Sequence, residues 1–303
     1  MESGRDMTKE ELFIYIDGKF YPKSDAKISV YDHGLLYGDG VFEGIRAYDG
    51  VVFRLNEHID RLYTSTHTIM LDIPVSKEEM QRIVLDTLKK NKLKEAYIRL
   101  IVTRGIGDLG LDPKKCPKPS IIVITEPMIV LHSKEMKEKG ITTMITWVKR
   151  DSVDATSHEV KSLNYLNNVL AKIESNFAGI DEAICLDQAG FVCEGTAENV
   201  FIVKDGKVIT PPTSTGALRG ITRAAVMTLT EKHGYPTVER NITPNELFTA
   251  DEVFLTGTAA EITPVREVNK RVIGSGKPGP VTKRLMQEFD KILRSPKEGT
   301  LIR

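Results

Sequence analysis

Residues 160–173, V-K-S-L-N-Y-L-N-N-V-L-A-K-I, constrain this chain more than any other stretch. Leu163, Leu166, Val169, Leu170 and Ile173 recur at three- and four-residue steps, the period of an amphipathic helix. Ser162 reads as its N-cap and Gly179 as its stop. Lys161 stands at the mouth of that helix, beside the apolar Val160 and Leu163. A lysine so placed is either an ordinary surface cation or a partly desolvated amine with a lowered pKa. Only the neutral amine attacks a carbonyl, so the second case prepares a Schiff-base lysine. The chain holds 42 lysines and arginines, so the surroundings must decide between the two.

A chain of 303 residues can form one large domain or two of ordinary size. Lys+Arg and Asp+Glu are equal at 42 each, which leaves no global field to draw it to nucleic acid or membrane. No apolar run approaches the roughly 18 residues of a membrane span. The charged start M-E-S-G-R-D-M-T-K-E-E lacks the apolar core of a signal peptide, and residues before Glu10 read as a loose tail. Cys116, Cys185 and Cys193 show no C-x-x-C spacing, which fits a reduced, cytosolic setting. The six histidines form no metal-ligand spacing, so no metal site is expected.

Read in order, the first part alternates with period two at 12–16, turns at Asp17-Gly18, and again looks like a strand at 26–30. Residues 31–50 place five glycines among aromatics; they make either a glycine-interrupted strand pair or a pocket wall lined by Tyr37 and Phe42. A helix follows with Leu55, Ile59, Leu62 and Ile69 on one face and Asn56 as its cap. A second opens at Ser76 with the capping-box pattern S-K-E-E. Strands are expected at 96–103 and 120–125, and the chain divides into lobes 1–125 and 139–303, joined by a loop at 126–138. The second lobe reads as strands at 141–148, 183–186, 191–193, 199–203, 208–210 and 252–256. Helices are expected at 222–233, from Thr243, and at 281–293. The fold class is α/β of the α+β type.

Several residues in this frame carry chemistry. Tyr97, Arg99 and Ile101 share one strand face, so Arg99 is either buried with a carboxylate or awaits one from a ligand. Arg61, on a helix, is a surface charge or a phosphate ligand. Gly220-Ile221-Thr222 opens a helix and offers free N–H groups to an anion; Gly257-Thr258-Ala259 offers open amides after a strand. Glu194 is either a solvated turn carboxylate or a semi-buried one able to keep a pyridine nitrogen protonated, as pyridoxal phosphate (PLP) chemistry requires. No P-loop and no dinucleotide-binding glycine motif is present. Lysine, glutamate and two phosphate-type turns together meet the needs of a PLP site.

The segments G-D-G-V-F-E-G-I-R-A-Y-D-G (38–50), V-K-S-L-N-Y-L-N-N (160–168), C-E-G-T-A-E-N-V-F (193–201), A-L-R-G-I-T-R (217–223) and T-G-T-A-A-E-I-T-P-V (256–265) occur in that order. Over residues 12–293 the series resembles that of the fold-type IV PLP enzymes, a D-amino-acid aminotransferase-like fold, and most of all the branched-chain amino-acid aminotransferases. The resemblance implies two domains with PLP in the cleft between them. It makes Lys161 the Schiff-base lysine that also shuttles a proton, Glu194 the partner of the pyridine nitrogen and Tyr165 that of the phenolic oxygen. Arg61, Ile221, Thr222 and Thr258 would bind the phosphate. Tyr37, Phe42 and Tyr97 would line the side-chain pocket, amides of Thr258 and Ala259 would take the substrate α-carboxylate, and Arg99 the distal carboxylate of glutamate. Amino acids and 2-oxo acids are the implied partners, with a homodimer or an assembly of dimers such as a hexamer. Many bacterial members carry a glycine pair where Ser162-Leu163 stands here, and K-S-L-N also occurs in D-amino-acid aminotransferase relatives. A D-amino-acid or R-selective amine aminotransferase, an aminodeoxychorismate lyase and a non-catalytic PLP carrier therefore stay open at this point.

Overall fold

The period-two runs form two sheets in the computed structural model, which describes residues 11–127 and 133–303. The expected tail up to residue 10, and residues 128–132 of the expected joining loop, lie outside the described residues. The first sheet takes β1 (Phe13–Ile16), β2 (Lys19–Pro22), β3 (Gly40–Tyr48), β4 (Val51–Phe53), β5 (Ala96–Thr103) and β6 (Ser120–Pro127), in the order β4-β3-β5-β6-β1-β2. Asp17 and Gly18 both take positive φ and close the β1–β2 hairpin, as D-G between alternating runs dictates. The run at 26–30 is a correction. It is irregular, because the Asp25 and Ala26 amides close a turn on the Pro22 carbonyl, and it leaves Ile28 and Val30 exposed. A short helix, α1 (His33–Tyr37), leads instead into β3.

Helices α2 (Leu55–Thr68) and α3 (Lys77–Lys90) bury their apolar stripes on this sheet. Leu55, Ile59 and Leu62 of α2 and Met80, Val84 and Leu88 of α3 pack with Ile45, Ile98 and Leu100. Each such side chain contributes about 1.5–3 kcal/mol by leaving water. The Glu79 N–H donates to the Ser76 hydroxyl, so the expected cap of α3 is realised. That of α2 is not, since Arg54 holds the N-cap position at φ 50° and its side chain caps no helix amide.

After α4 (Lys134–Lys139), the second sheet collects β7 (Ile141–Ile145), β8 (Glu182–Leu186), β9 (Val192–Gly195), β10 (Asn199–Lys204), β11 (Lys207–Thr210), β12 (Thr237–Glu239), β13 (Glu252–Gly257), β14 (Glu261–Val268) and β15 (Arg271–Val272). Its path is β12-β11-β10-β13-β14-β7-β8-β9, with β15 on β14. Glu194 of β9 then pairs with Asn199 of β10, which closes β10, β13, β14, β7, β8 and β9 into a ring. Helix α5 (Leu166–Phe177) lies on β8 through Ala171, while α6 (Ile221–Lys232) and α8 (Pro280–Leu293) pack with Phe201 and Phe254. The short α7 (Pro244–Phe248) opens with a complete Thr243–Glu246 capping box. The last strand, β16 (Gly299–Leu301), returns to pair with β4 of the first sheet.

Residues 160–173 behave differently from their pattern in two respects. The helix begins only at Leu166, with Tyr165 at the N-cap position. Its apolar stripe also faces outward: Leu166, Val169, Leu170 and Ile173 are exposed and Phe177 is 90% exposed, while Asn168, Ala171 and Ser175 are buried.

Candidate active site

Lys161 is fixed first by its backbone. The Phe42 N–H donates to the Lys161 carbonyl at 2.9 Å, the Leu163 N–H donates to the Gly40 carbonyl at 3.0 Å, and Ser162 bridges Val41. Gly40 permits this approach, because a Cβ there would stand 2.6 Å from the Val102 carbonyl oxygen and 2.8 Å from Leu163 Cδ1. The Lys161 N–H reaches the Ser65 hydroxyl of α2 at 3.3 Å. Ser162 is thus held in a bridge to β3 and caps no helix. Four residues on, the Tyr165 hydroxyl receives a hydrogen bond from Lys161 Nζ at 2.7 Å, and the amine lies 4.5 Å from the centre of the Phe42 ring.

A cavity of about 310 Å³ opens beside this amine, walled by Phe42, Gly44, Tyr97 and Arg99 of the first sheet and by Thr256–Ala260 of the second. At one end Arg61 meets the start of α6. Arg61, on its face an exposed helix charge, is mostly buried: Nε and Nη2 clamp the two oxygens of Glu43 at 2.7 Å each, and Nη1 donates to the Arg219 carbonyl at 2.9 Å. The N-cap of α6 is Gly220, with no side-chain cap bond, so the first amides of the helix have no partner from that residue. A Cβ on Gly220 would come within 2.0 Å of Asn199 Oδ1. Ile221, Thr222 and Thr258 all line the cavity.

Glu194 is no solvated turn. It lies within β9, buried, because the β9–β10 closure draws it against the ring. One oxygen accepts the Leu218 N–H at 2.9 Å; the other faces Arg150 Nε at 3.3 Å. Arg150 is fully buried and also donates to the Gly195 carbonyl. Glu194 lines a small chamber of about 20 Å³ that shares Lys161, Tyr165 and Asn168 with the main cavity.

At the other wall, Arg99 stands opposite Gly44 in the β3–β5 register. Its guanidinium lies 4.5 Å over the Phe42 ring and 5.6 Å from that of Tyr97, and donates to the Tyr97 hydroxyl at 3.2 Å. No carboxylate pairs with it among the described residues. Gly44 leaves room for the Tyr97 side chain here, since a Cβ would meet its hydroxyl at 2.3 Å and push it aside. Of the expected residues, Glu194 lines only the small chamber, and Tyr37 lines neither space. It packs edge-on against His33 and donates to the Leu109 carbonyl at 2.5 Å.

Sequence reasoning missed Glu43, His58, Arg150, Asn168 and Thr256. The readable signal was charge inside apolar strands, as in V-F-E-G-I-R. Thr256 Oγ1 and Asn168 Oδ1 are buried, line the cavity and have no partner among the described residues. Such atoms cost about 1–3 kcal/mol each when left unpaired, so they mark where a polar ligand fits. An amine, an accepting carboxylate, a guanidinium and uncapped helix amides around that space match the groups PLP needs.

The sequence matches the family model described as "Amino-transferase class IV" over residues 40–268. A Methanocaldococcus jannaschii protein, provisionally named a branched-chain-amino-acid aminotransferase, is 57% identical over 92% of this chain and 96% of its own. The structure of the Escherichia coli branched-chain amino acid aminotransferase is 38% identical, with a TM-score of 0.91 over 94% of this chain and 95% of that one. A branched-chain amino acid aminotransferase from Thermobaculum terrenum, solved in its PLP form, is 28% identical, with a TM-score of 0.85 over 95% and 96% of the two chains.

Proposed function

The chain belongs to the class IV aminotransferases, and from that membership we propose that it is a PLP-dependent branched-chain amino-acid aminotransferase. It exchanges the amino group of L-leucine, L-isoleucine or L-valine with 2-oxoglutarate, giving the branched 2-oxo acid and L-glutamate by a ping-pong route through one pocket. Bound PLP supplies the electron sink that makes the α-proton of the amino acid removable.

The rest falls to this chain's own side chains. Lys161 is the base at the α-carbon; the backbone clamp on β3 and the 2.7 Å contact to Tyr165 support this by fixing where its amine stands. Glu194, backed by Arg150, would hold the pyridine nitrogen, and Tyr165 the phenolic oxygen. Arg61, Ile221, Thr222 and Thr258 would hold the phosphate, and the Thr258 and Ala259 amides the α-carboxylate. Phe42 and Tyr97 line the side-chain pocket, a role in which Tyr37 has no support within a single chain. The observation that carries the substrate reading is Arg99. A guanidinium laid on aromatic rings, with no counter-ion among the described residues, lets one wall accept either an apolar branch or the distal carboxylate of glutamate.

The same reading includes the lobes 1–125 and 139–303 joined at 126–138. The two sheets support it, and β16 is then a strap across the join. It also includes self-association as a homodimer or an assembly of dimers, for which the outward apolar stripe of α5, beside the exposed Trp147, is the support. The cytosolic setting is supported by three free thiols; no helix among the described residues is long and apolar enough to cross a membrane. Lys161→Ala tests the assignment. It is expected to abolish transfer between L-leucine and 2-oxoglutarate with the melting temperature kept, and appreciable turnover would refute it.

A further inference from the structure

We propose that Glu43 and His58 are positioning residues for the phosphate of the cofactor, acting through Arg61 by fixing which of its donors face the cavity. The inference rests on the phosphate-site reading given above.

The backbone explains why these residues meet. Strand alternation sends Phe42 and Gly44 to the cavity and Glu43 to the opposite face, toward α2. On α2, His58 and Arg61 are three residues apart and share a helix face. His58 Nδ1 lies 2.8 Å from Glu43 Oε2, the oxygen that also takes Arg61 Nη2, and Nε takes the other oxygen. Because its partner is a carboxylate, Nδ1 is the nitrogen that carries the proton. Burial pushes His58 below its usual pKa, so the ring stays neutral and serves as a donor. Burial alone would raise the Glu43 carboxyl, but the charge and hydrogen bonds of Arg61, helped by His58, bring it down to about 2.

Two consequences follow for the cofactor. An arginine has five N–H donors in a rigid plane; the side-on grip of Glu43 and the Arg219 carbonyl take three of these, so the plane and the direction of the others are set before a ligand arrives. Glu43 also cancels the charge of Arg61, so the site selects a phosphate by donor geometry at Arg61 and at the start of α6 more than by net charge. A buried carboxylate with no other task, one residue from the substrate wall, has this as its chemical use.

The test compares PLP with pyridoxal, which lacks the phosphate but meets the same Lys161. Apo protein is titrated with each and the visible band of the bound form gives both dissociation constants. Glu43→Gln is expected to weaken PLP by about tenfold to a hundredfold while pyridoxal changes by no more than about twofold. His58→Leu should move the ratio in the same direction, and His58→Asn, which keeps an N–H near the Nδ1 position, should restore it. Equal losses for both ligands, or a parental ratio in Glu43→Gln and His58→Leu, would overturn the proposal. If Glu43→Gln does not fold, the His58 pair decides alone, and equal ratios for Leu and Asn overturn it. Arg61→Ala separates the two layers of the argument. A parental ratio there refutes the phosphate-site reading itself, whereas a collapsed ratio there with parental ratios at Glu43 and His58 refutes only this proposal.

Discussion

Arg99 has aromatic faces where most buried arginines have a carboxylate. In the proposed role, replacing it by alanine would remove a charge-assisted contact worth about 1.5–3 kcal/mol to the distal carboxylate of glutamate. The expected outcome for Arg99→Ala is a loss in kcat/KM for glutamate and 2-oxoglutarate of about tenfold to a hundredfold or more, with much less change for leucine. Equal losses would make Arg99 structural. Glu198 obeys the opposite rule. Burial first, and the neighbouring Glu182 next, raise its carboxyl from the ordinary 4.5 to about 8, so the fold prefers the protonated acid. The stability tied to that proton is whole below the unfolded-state value and is lost as pH climbs through the folded one. Glu198→Gln removes the dependence, so its melting temperature should gain on the parent's between about pH 5 and about pH 8; a gap that narrows with pH would contradict this. Lys161 and Glu194 stand out in the sequence by their neighbours, whereas Tyr165 is singled out only through the family resemblance. Arg61 was ambiguous because nothing in its own helix shows that Glu43, 18 residues earlier, will bury and pair it.

The elements were legible where the determinant is local. S-K-E-E and T-P-N-E became capped helix starts at α3 and α7, and Asp17-Gly18 closed its hairpin. They were not legible where a tertiary contact overrides the pattern. Ser162 has the chemistry of a cap, but β3 takes its backbone first. The stripe Leu166, Val169, Leu170, Ile173 has the right period for a helix, yet small residues, Ala171 and Ser175, face β8. The small face lets α5 lie close to the sheet, and the large one is left for another surface. Leu170→Asp tests this. In a lone chain an aspartate on an exposed face changes stability little, while in an apolar self-interface it is an unpaired buried charge. Sedimentation should show the parent as a dimer or larger and Leu170→Asp as a smaller species with native circular dichroism. An unchanged mass for the variant, or a monomeric parent, would contradict the assignment of that face.

At the scale of the molecule, the cavity exists because two sheets and their helices are brought together: the first sheet carries Phe42, Tyr97 and Arg99 with Arg61 on its helix α2, and the second carries Glu194, with Thr222 at the start of α6 and Thr258 in the β13–β14 turn. That an earlier and a later set of strands exist could be read from the sequence; the ring closure through Glu194 and Asn199, and the return of β16 to β4, could not, since both pair residues that no local period relates. In the proposed roles, handedness of the substrate is also a property of the whole cleft: the α-carbon would present its proton to Lys161 while its two remaining groups reached the Thr258–Ala259 turn and the Phe42–Arg99 wall, all of which line one cavity. The purified holoenzyme mixed with L-leucine, and separately with D-leucine, tests this most directly through its visible spectrum. The account predicts that L-leucine alone removes the PLP band and raises that of the pyridoxamine form; conversion by D-leucine instead, or by neither enantiomer, would contradict it.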